Sequence, residues 1–192
     1  MIPSGLSVYS NIIPNNIRNS LFEYLWEMEE DNEFQLLVSA KDEQRIVREI
    51  MQFGYEYKYS EQKLDKIENP IPPILGQLIN LIPHTRKNEF NQCEVNNFKE
   101  GYGYHPQIDN FEMGDVIAIF SLGETCPILF EDKESGEKVS RDIKNNSLIL
   151  LERESRHKWF NEMEPLTQKE KEFDAKRYTI TFRIINRVGD SF

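Results

Sequence analysis

NQCEVNNFKEGYGYHPQID, residues 91–109, and RYTITFR, residues 177–183, are the two stretches whose reading decides the fold. In the first, Gly101 and Gly103 lack a Cβ and let the chain turn sharply before it reaches Asp109. In the second, Arg177, Thr179, Thr181 and Arg183 fall on one side of a strand, because strand side chains alternate with period two. Four further β-runs separate them: DVIAIFSLG (115–123), CPILFED (126–132), GEKVSRDI (136–143) and NNSLILLERE (145–154). Each has the length and alternation of a half-buried strand and is bounded by Gly, Asn-Asn or a charged turn. Residues 132–138, with Gly136, read as a hairpin turn, and Asp115 as a turn or edge residue. The two deciding stretches are therefore expected to meet across a closed or nearly closed sheet. Two arginines pointing into a small barrel require an anion, since an unpaired buried charge is expensive. That anion is either a ligand or an internal carboxylate, Asp109 or a glutamate of this acidic chain.

Working outward, residues 14–28 predict an amphipathic helix, with Ile17, Leu21, Tyr24, Leu25 and Met28 on one face and Pro14 at the tolerated first turn. The acidic residues 29–33 read as a solvated loop. NPIPPILGQLINLIP (69–83) predicts a second, supporting helix with Ile74, Leu75, Leu78, Ile79 and Ile82 in one stripe, and His84 after it takes a structural or surface role. Tyr55, Tyr57 and Tyr59 alternate as in a strand.

At 192 residues the chain predicts a single domain, 1–192. Its 33 acidic and 23 basic residues give a formal net charge of -10, which repels a phosphate backbone unless the cations gather on one face. Cys93 and Cys126 form no disulfide framework and no C-x-x-C spacing, so both are expected reduced and buried. The start, MIPSGLSVYSNIIP, lacks a signal-peptide pattern, and no later stretch reaches the roughly 18 apolar residues of a membrane helix. The expectation is a soluble cytoplasmic or nuclear protein without membrane contact.

These stretches resemble the AlkB-like iron(II)/2-oxoglutarate-dependent dioxygenases, whose pattern is N-x-Y-x-x-G-x-G-I-x-x-H-x-D, then W-x-H, then R-x-x-x-T-F-R. The likeness extends to P-I-P-P-x-L at 70–75, S-L-G at 121–123, and Arg156 and Trp159 of SRHKWFNEM. It implies an α+β fold: a double-stranded β-helix of jelly-roll or cupin-like type, buttressed by two N-terminal helices. It also implies iron(II) and 2-oxoglutarate as cofactors, with Asn96, Arg177 and Arg183 as cofactor-binding residues and Gln107, Asp109 and Asn161 at the metal positions. Two metal positions depart from the pattern, because Gln107 and Asn161 stand where the family has histidines. Phe98 stands where it has a cofactor-binding tyrosine.

Iron(II) oxygenases hold their metal with two imidazoles and a carboxylate, and an amide oxygen is a poor substitute. His105 shares the face of Gln107 in strand alternation, and His157 shares that of Asn161. Yet they lie roughly 6.6 and 13 Å away along their strands, which argues against a relocated metal site. The segment 43–59 is similar to the family's nucleotide lid, which implies stacking and charge contacts from Arg45, Arg48, Tyr55, Tyr57 and Tyr59; a half-buried aromatic strand is the other reading. The leading functional expectation is a dioxygenase-fold protein that has lost catalysis and serves as a binding or interaction module, with an RNA or protein partner. The alternatives are an active oxygenase, a demethylase or hydroxylase acting on alkylated nucleic acid or protein, and an RNA-binding adaptor without a ligand pocket.

Overall fold

Leu21 and Leu25, one helical turn apart, are fully buried, and they fix the orientation of helix α1, Asn15–Glu30, which Pro14 caps. The computed structural model describes residues 2–38, 46–99, 101–165 and 176–186. The second predicted helix is shorter and tighter than its apolar stripe implies. It is a single α turn, α2 (Pro73–Gly76), running on into a 3-10 helix, Gln77–Leu81. Pro83 then holds Ile82 extended. Leu75, Leu78 and Ile82 are nevertheless buried as the stripe requires.

Thirteen strands are described. The first seven are β1 (Leu6–Ser10), β2 (Gln35–Val38), β3 (Ile46–Phe53), β4 (Tyr55–Lys58), β5 (Lys63–Lys66), β6 (Gln92–Phe98) and β7 (Tyr104–Gln107). The other six are β8 (Ile117–Gly123), β9 (Cys126–Asp132), β10 (Lys138–Ile143), β11 (Ser147–Leu151), β12 (Trp159–Met163) and β13 (Arg177–Arg183), with a short helix α3 (Arg153–His157) before β12. They form an antiparallel seven-stranded sheet in the order β1-β11-β8-β13-β6-β3-β2 and an antiparallel four-stranded sheet, β10-β9-β12-β7. A separate hairpin pairs β4 with β5.

The inner strands of the large sheet are buried on both faces, and period two sorts their residues. Cys93 and Val95 of β6 and Tyr178, Ile180 and Phe182 of β13 pack with Leu21, Leu25, Leu75 and Leu78 of the helices. The opposite face turns toward the small sheet, where Phe98, Ile117, Ile149 and Leu151 meet Ile128, Phe130, Trp159 and Met163. This is the double-stranded β-helix with its helical buttress. The four β-runs between 115 and 154 all become strands, and Gly136, at φ +72°, turns the β9–β10 hairpin. Cys93 and Cys126 are both buried, as expected, and are not joined in a disulfide. Among the described residues, no helix is long and apolar enough to cross a membrane.

The acidic stretch after α1 departs from expectation. Helix α1 continues through Glu29, whose carboxylate accepts from Lys176 Nζ at 2.9 Å and Tyr178 Oη at 3.0 Å and pairs with Lys99 at 3.2 Å. Glu29 thus ties the helix to the start of β13 and the end of β6 and is not a solvated loop residue. Burial raises the Glu29 pKa, but the bonds from Lys176, Tyr178 and Lys99 outweigh it and leave the group below its ordinary 4.5. A carboxylate with a lowered folded pKa stabilises fully above the unfolded value and loses its contribution as pH falls through the folded one. Denaturant midpoints measured from pH 7 to pH 3 are therefore expected to fall for the wild type below about pH 4.5. The variant Glu29→Gln should start lower at pH 7 and show a shallower fall over that range.

Candidate functional site

β6 and β13 pair in a register that sets Gln92 opposite Arg183, Glu94 opposite Thr181, Asn96 opposite Thr179 and Phe98 opposite Arg177. All eight are buried. Since Cys93 and Val95 face the helices, this polar row faces the small sheet. There all of the row but Gln92 and Arg177 lines a cavity of about 40 Å³, together with Arg48, Tyr104, Gln107, Asp109 and Asn161.

The residues at the three metal positions do come together. β12 and β7 pair Asn161 with Gln107, and the Asn161 Nδ2 donates to the Gln107 carbonyl at 3.1 Å. Asp109 lies just beyond β7, in a loop fixed by Arg156. That guanidinium is 2% exposed and donates to the carbonyls of Asp109 at 2.9 Å, Asn110 at 2.8 Å and Gly114 at 2.9 Å. Gly103 permits the approach of the two strands: a Cβ there would lie 2.6 Å from the carbonyl oxygen of Met163.

Arg183 is the electrostatic centre. Its Nε and Nη2 donate to Asp109 Oδ2 at 3.3 and 3.2 Å, its Nη1 donates to Gln92 Oε1 at 3.0 Å, and Nη2 lies 3.8 Å from Glu94 Oε1. Burial works against its charge, but Asp109 and Glu94 hold its pKa above the ordinary value. The Glu94 carboxylate also accepts from Tyr59 Oη at 2.8 Å and Asn96 Nδ2 at 3.2 Å. Arg48 Nη2 in turn donates to Tyr59 Oη at 2.9 Å, with its guanidinium 5.2 Å from the Tyr59 ring and 5.6 Å from that of Tyr104. Burial and the Glu94 charge raise the Tyr59 pKa, so the phenol keeps the proton it donates.

Several predicted residues lie elsewhere. Arg177 is fully buried, its guanidinium 5.0 Å from the centre of the Phe98 ring. Tyr55 and Tyr57 are buried with Leu64, Met113 and Ile185, so in this conformation they offer no open face for stacking a base. Of the lid set only Arg48 and Tyr59 reach the Glu94 network, while Arg45 lies outside the described residues. His105 is exposed and does not share the face of Gln107. A β-bulge shifts the β7–β12 register between Asn161 and Met163, which breaks the alternation. His157 is not on a strand. It ends α3, where Glu152 and Ser155 form a capping box, and pairs with Asp115 at 3.4 Å. His84 pairs with Glu152 at 3.2 Å, in keeping with a structural role. Sequence reasoning missed Glu94, Tyr104 and the anchoring work of Arg156. Period two along β6, carried back from Asn96, is the signal that marks Glu94.

A family profile, "2OG-Fe(II) oxygenase superfamily", matches residues 5–183. The chain belongs to that superfamily. A search of curated proteins gives no significant match. Among solved structures, OsALKBH1 superposes with a TM-score of 0.68 at 14% identity, covering 95% of this chain and 97% of that one. A prolyl-4-hydroxylase of Pseudomonas putida gives 0.64 at 12% identity over 95% and 93% of the two chains. A Trichoplax adhaerens prolyl hydroxylase, in complex with a hypoxia inducible factor oxygen degradation domain peptide fragment, gives 0.61 at 16% over 94% and 83%. At these identities the likeness establishes the shared double-stranded β-helix.

The superfamily implies iron(II) and 2-oxoglutarate, and the residues present do not fit either. Around Asp109 the second and third side chains are amides where imidazoles are needed. Among the described residues, no three His, Cys, Asp or Glu side chains converge to hold a metal. The cavity's 40 Å³ is far below the roughly 300–1,000 Å³ of a ligand cleft, and Glu94 already places a carboxylate on its wall.

Arg156→Lys should destabilise the protein by about 2–4 kcal/mol, because one ammonium cannot replace a planar fork donating to three carbonyls. Equilibrium denaturation gives the magnitude. Hydrogen exchange should show faster opening confined largely to residues 109–114.

Proposed function

We propose that this chain is a member of the superfamily that has given up oxygenase chemistry and acts as a binding or interaction module. The observation that carries the reading is the donor set at the metal positions: one carboxylate, Asp109, between the amides of Gln107 and Asn161, with that carboxylate bound by Arg183. An amide oxygen is a weak donor to iron(II), so the set retains one strong ligand of the three that the chemistry requires.

The partner is a protein in preference to a nucleic acid. Supporting this, many cations are paired within the chain. Lys58 and Lys63 pair with Asp65, Lys99 and Lys176 with Glu29, Arg86 with Glu89, Lys138 with Glu131 and Lys158 with Glu154. Arg48, Arg156, Arg177 and Arg183 are buried. These are 11 of the 23 basic residues, and the formal net charge of -10 opposes the approach of a phosphate backbone.

The deciding experiment is anaerobic titration with iron(II), followed by assay of succinate formation from 2-oxoglutarate under air. Affinity no better than about millimolar, with no succinate, is expected; on the binding scale that is only about 4 kcal/mol. Stoichiometric tight iron with succinate release would establish the active oxygenase instead.

A second expectation concerns RNA. Single-stranded oligomers should show no saturable binding at about 200 mM salt, and any binding at about 50 mM should be at least roughly tenfold weaker at the higher salt. Submicromolar affinity that persists at the higher salt would reverse the choice of partner.

A further inference from the structure

Glu94 is 2% exposed, lines the space between the two sheets and is met there by groups from β6, β13 and the turn after β4. Tyr59 Oη donates to Oε2 and Asn96 Nδ2 to Oε1, while Arg183 stands 3.8 Å from Oε1. Arg48 is bound to the same carboxylate through the Tyr59 hydroxyl. These contacts, a guanidinium, a phenol and an amide converging on one carboxylate, make up what a site for a bound organic acid would offer. The two acids facing Arg183, Glu94 and Asp109, balance the charges of Arg183 and Arg48. A further anion would bring like charge into a space of about 40 Å³.

We propose that Glu94 is the built-in occupant of this cleft: its side chain fills an anion site between Arg183 and the Arg48–Tyr59 pair, so the folded chain carries its own carboxylate ligand and excludes free dicarboxylates. This deepens the reading of the protein as a non-catalytic module, on which it rests. It also says why Arg183 persists in a cleft with no room for a ligand. The arginine is needed to neutralise the buried Glu94 and the half-buried Asp109, and the acids are needed to neutralise it. Removing the Glu94 carboxylate leaves a vacant, positively charged cleft whose donors already aim at one point.

The test is metal-free calorimetry and thermal melting of the wild type, Glu94→Ala and Glu94→Gln, with 2-oxoglutarate and acetate as probes and acetamide as the neutral control. The wild type should show no saturable heat with 2-oxoglutarate at concentrations on the order of millimolar. Glu94→Ala, which removes both charge and volume, should bind 2-oxoglutarate at least about 100-fold more tightly than the wild type, since one facing like charge is gone. Acetate should raise its melting temperature and acetamide should not. Glu94→Gln keeps the side-chain length, so it should gain less. If either variant is unfolded alone, the probe acids should refold it, because they supply the missing carboxylate; unfolded variants that no acid rescues overturn the proposal. A folded Glu94→Ala that gains no affinity, or a wild type that binds 2-oxoglutarate saturably without metal, also overturns it. Succinate formation by the wild type sinks the functional reading, whereas metal-free dicarboxylate binding by the wild type sinks the Glu94 assignment alone.

Discussion

A guanidinium cannot shed its charge inside a protein, and Arg183 is 4% exposed between two sheets. Everything around it follows from that constraint. The β6–β13 register delivers Gln92 and Glu94 beside it, and the loop after β7 delivers Asp109. Removing one partner of such a group leaves an uncompensated buried charge, which costs about 3–5 kcal/mol, so the set is bound to be kept or lost together. The cleft is therefore a structural unit as much as a site.

That unit is held from behind and from the side. The apolar residues that alternate with the polar row on β6 and β13 pack beneath α1 and α2, so neither strand can slip by one residue without exchanging buried apolar groups for buried charges. At the side, Arg156 gathers the carbonyls of the loop that carries Asp109, and Met113 from the same loop packs against the β4–β5 hairpin with Tyr55 and Tyr57. The hairpin is joined to the core by this apolar contact and by the Tyr59 hydroxyl. The tyrosines of 55–59 thus serve the fold first.

The same economy of charge shapes the exterior. Cations along the β4–β5 hairpin, the end of β6 and α3 pair with neighbouring acids, in a chain where 33 acidic residues outnumber 23 basic ones. Phe111 is an apolar side chain on this charged exterior, 82% exposed on the loop that Arg156 fixes.

Much of this was legible in the sequence. Period two in RYTITFR and in the runs between 115 and 154, helical spacing in 14–28, and the glycine turn before Asp109 are local signals that mark strands, a helix and a turn; the double-stranded β-helix with its buttress followed from the likeness of these stretches to the superfamily. The departures at Gln107, Asn161 and Phe98 were equally plain, because each is a change of chemistry at one position. Three things were decided only in three dimensions. His105 and His157 do not share the faces of Gln107 and Asn161 that alternation assigned them, because a bulge and a capping box, both products of neighbouring backbone, override it. Glu29 became a clamp because Lys99 and Lys176, distant in sequence, converge on it. Glu94 became the partner of Arg183 because that pairing, between residues 89 positions apart in the chain, depends on the register between their two strands. The sequence by itself determined which residues of β6 and β13 face inward; which inward charge meets which is set by strand register and sheet packing, and these are properties of the folded chain as a whole.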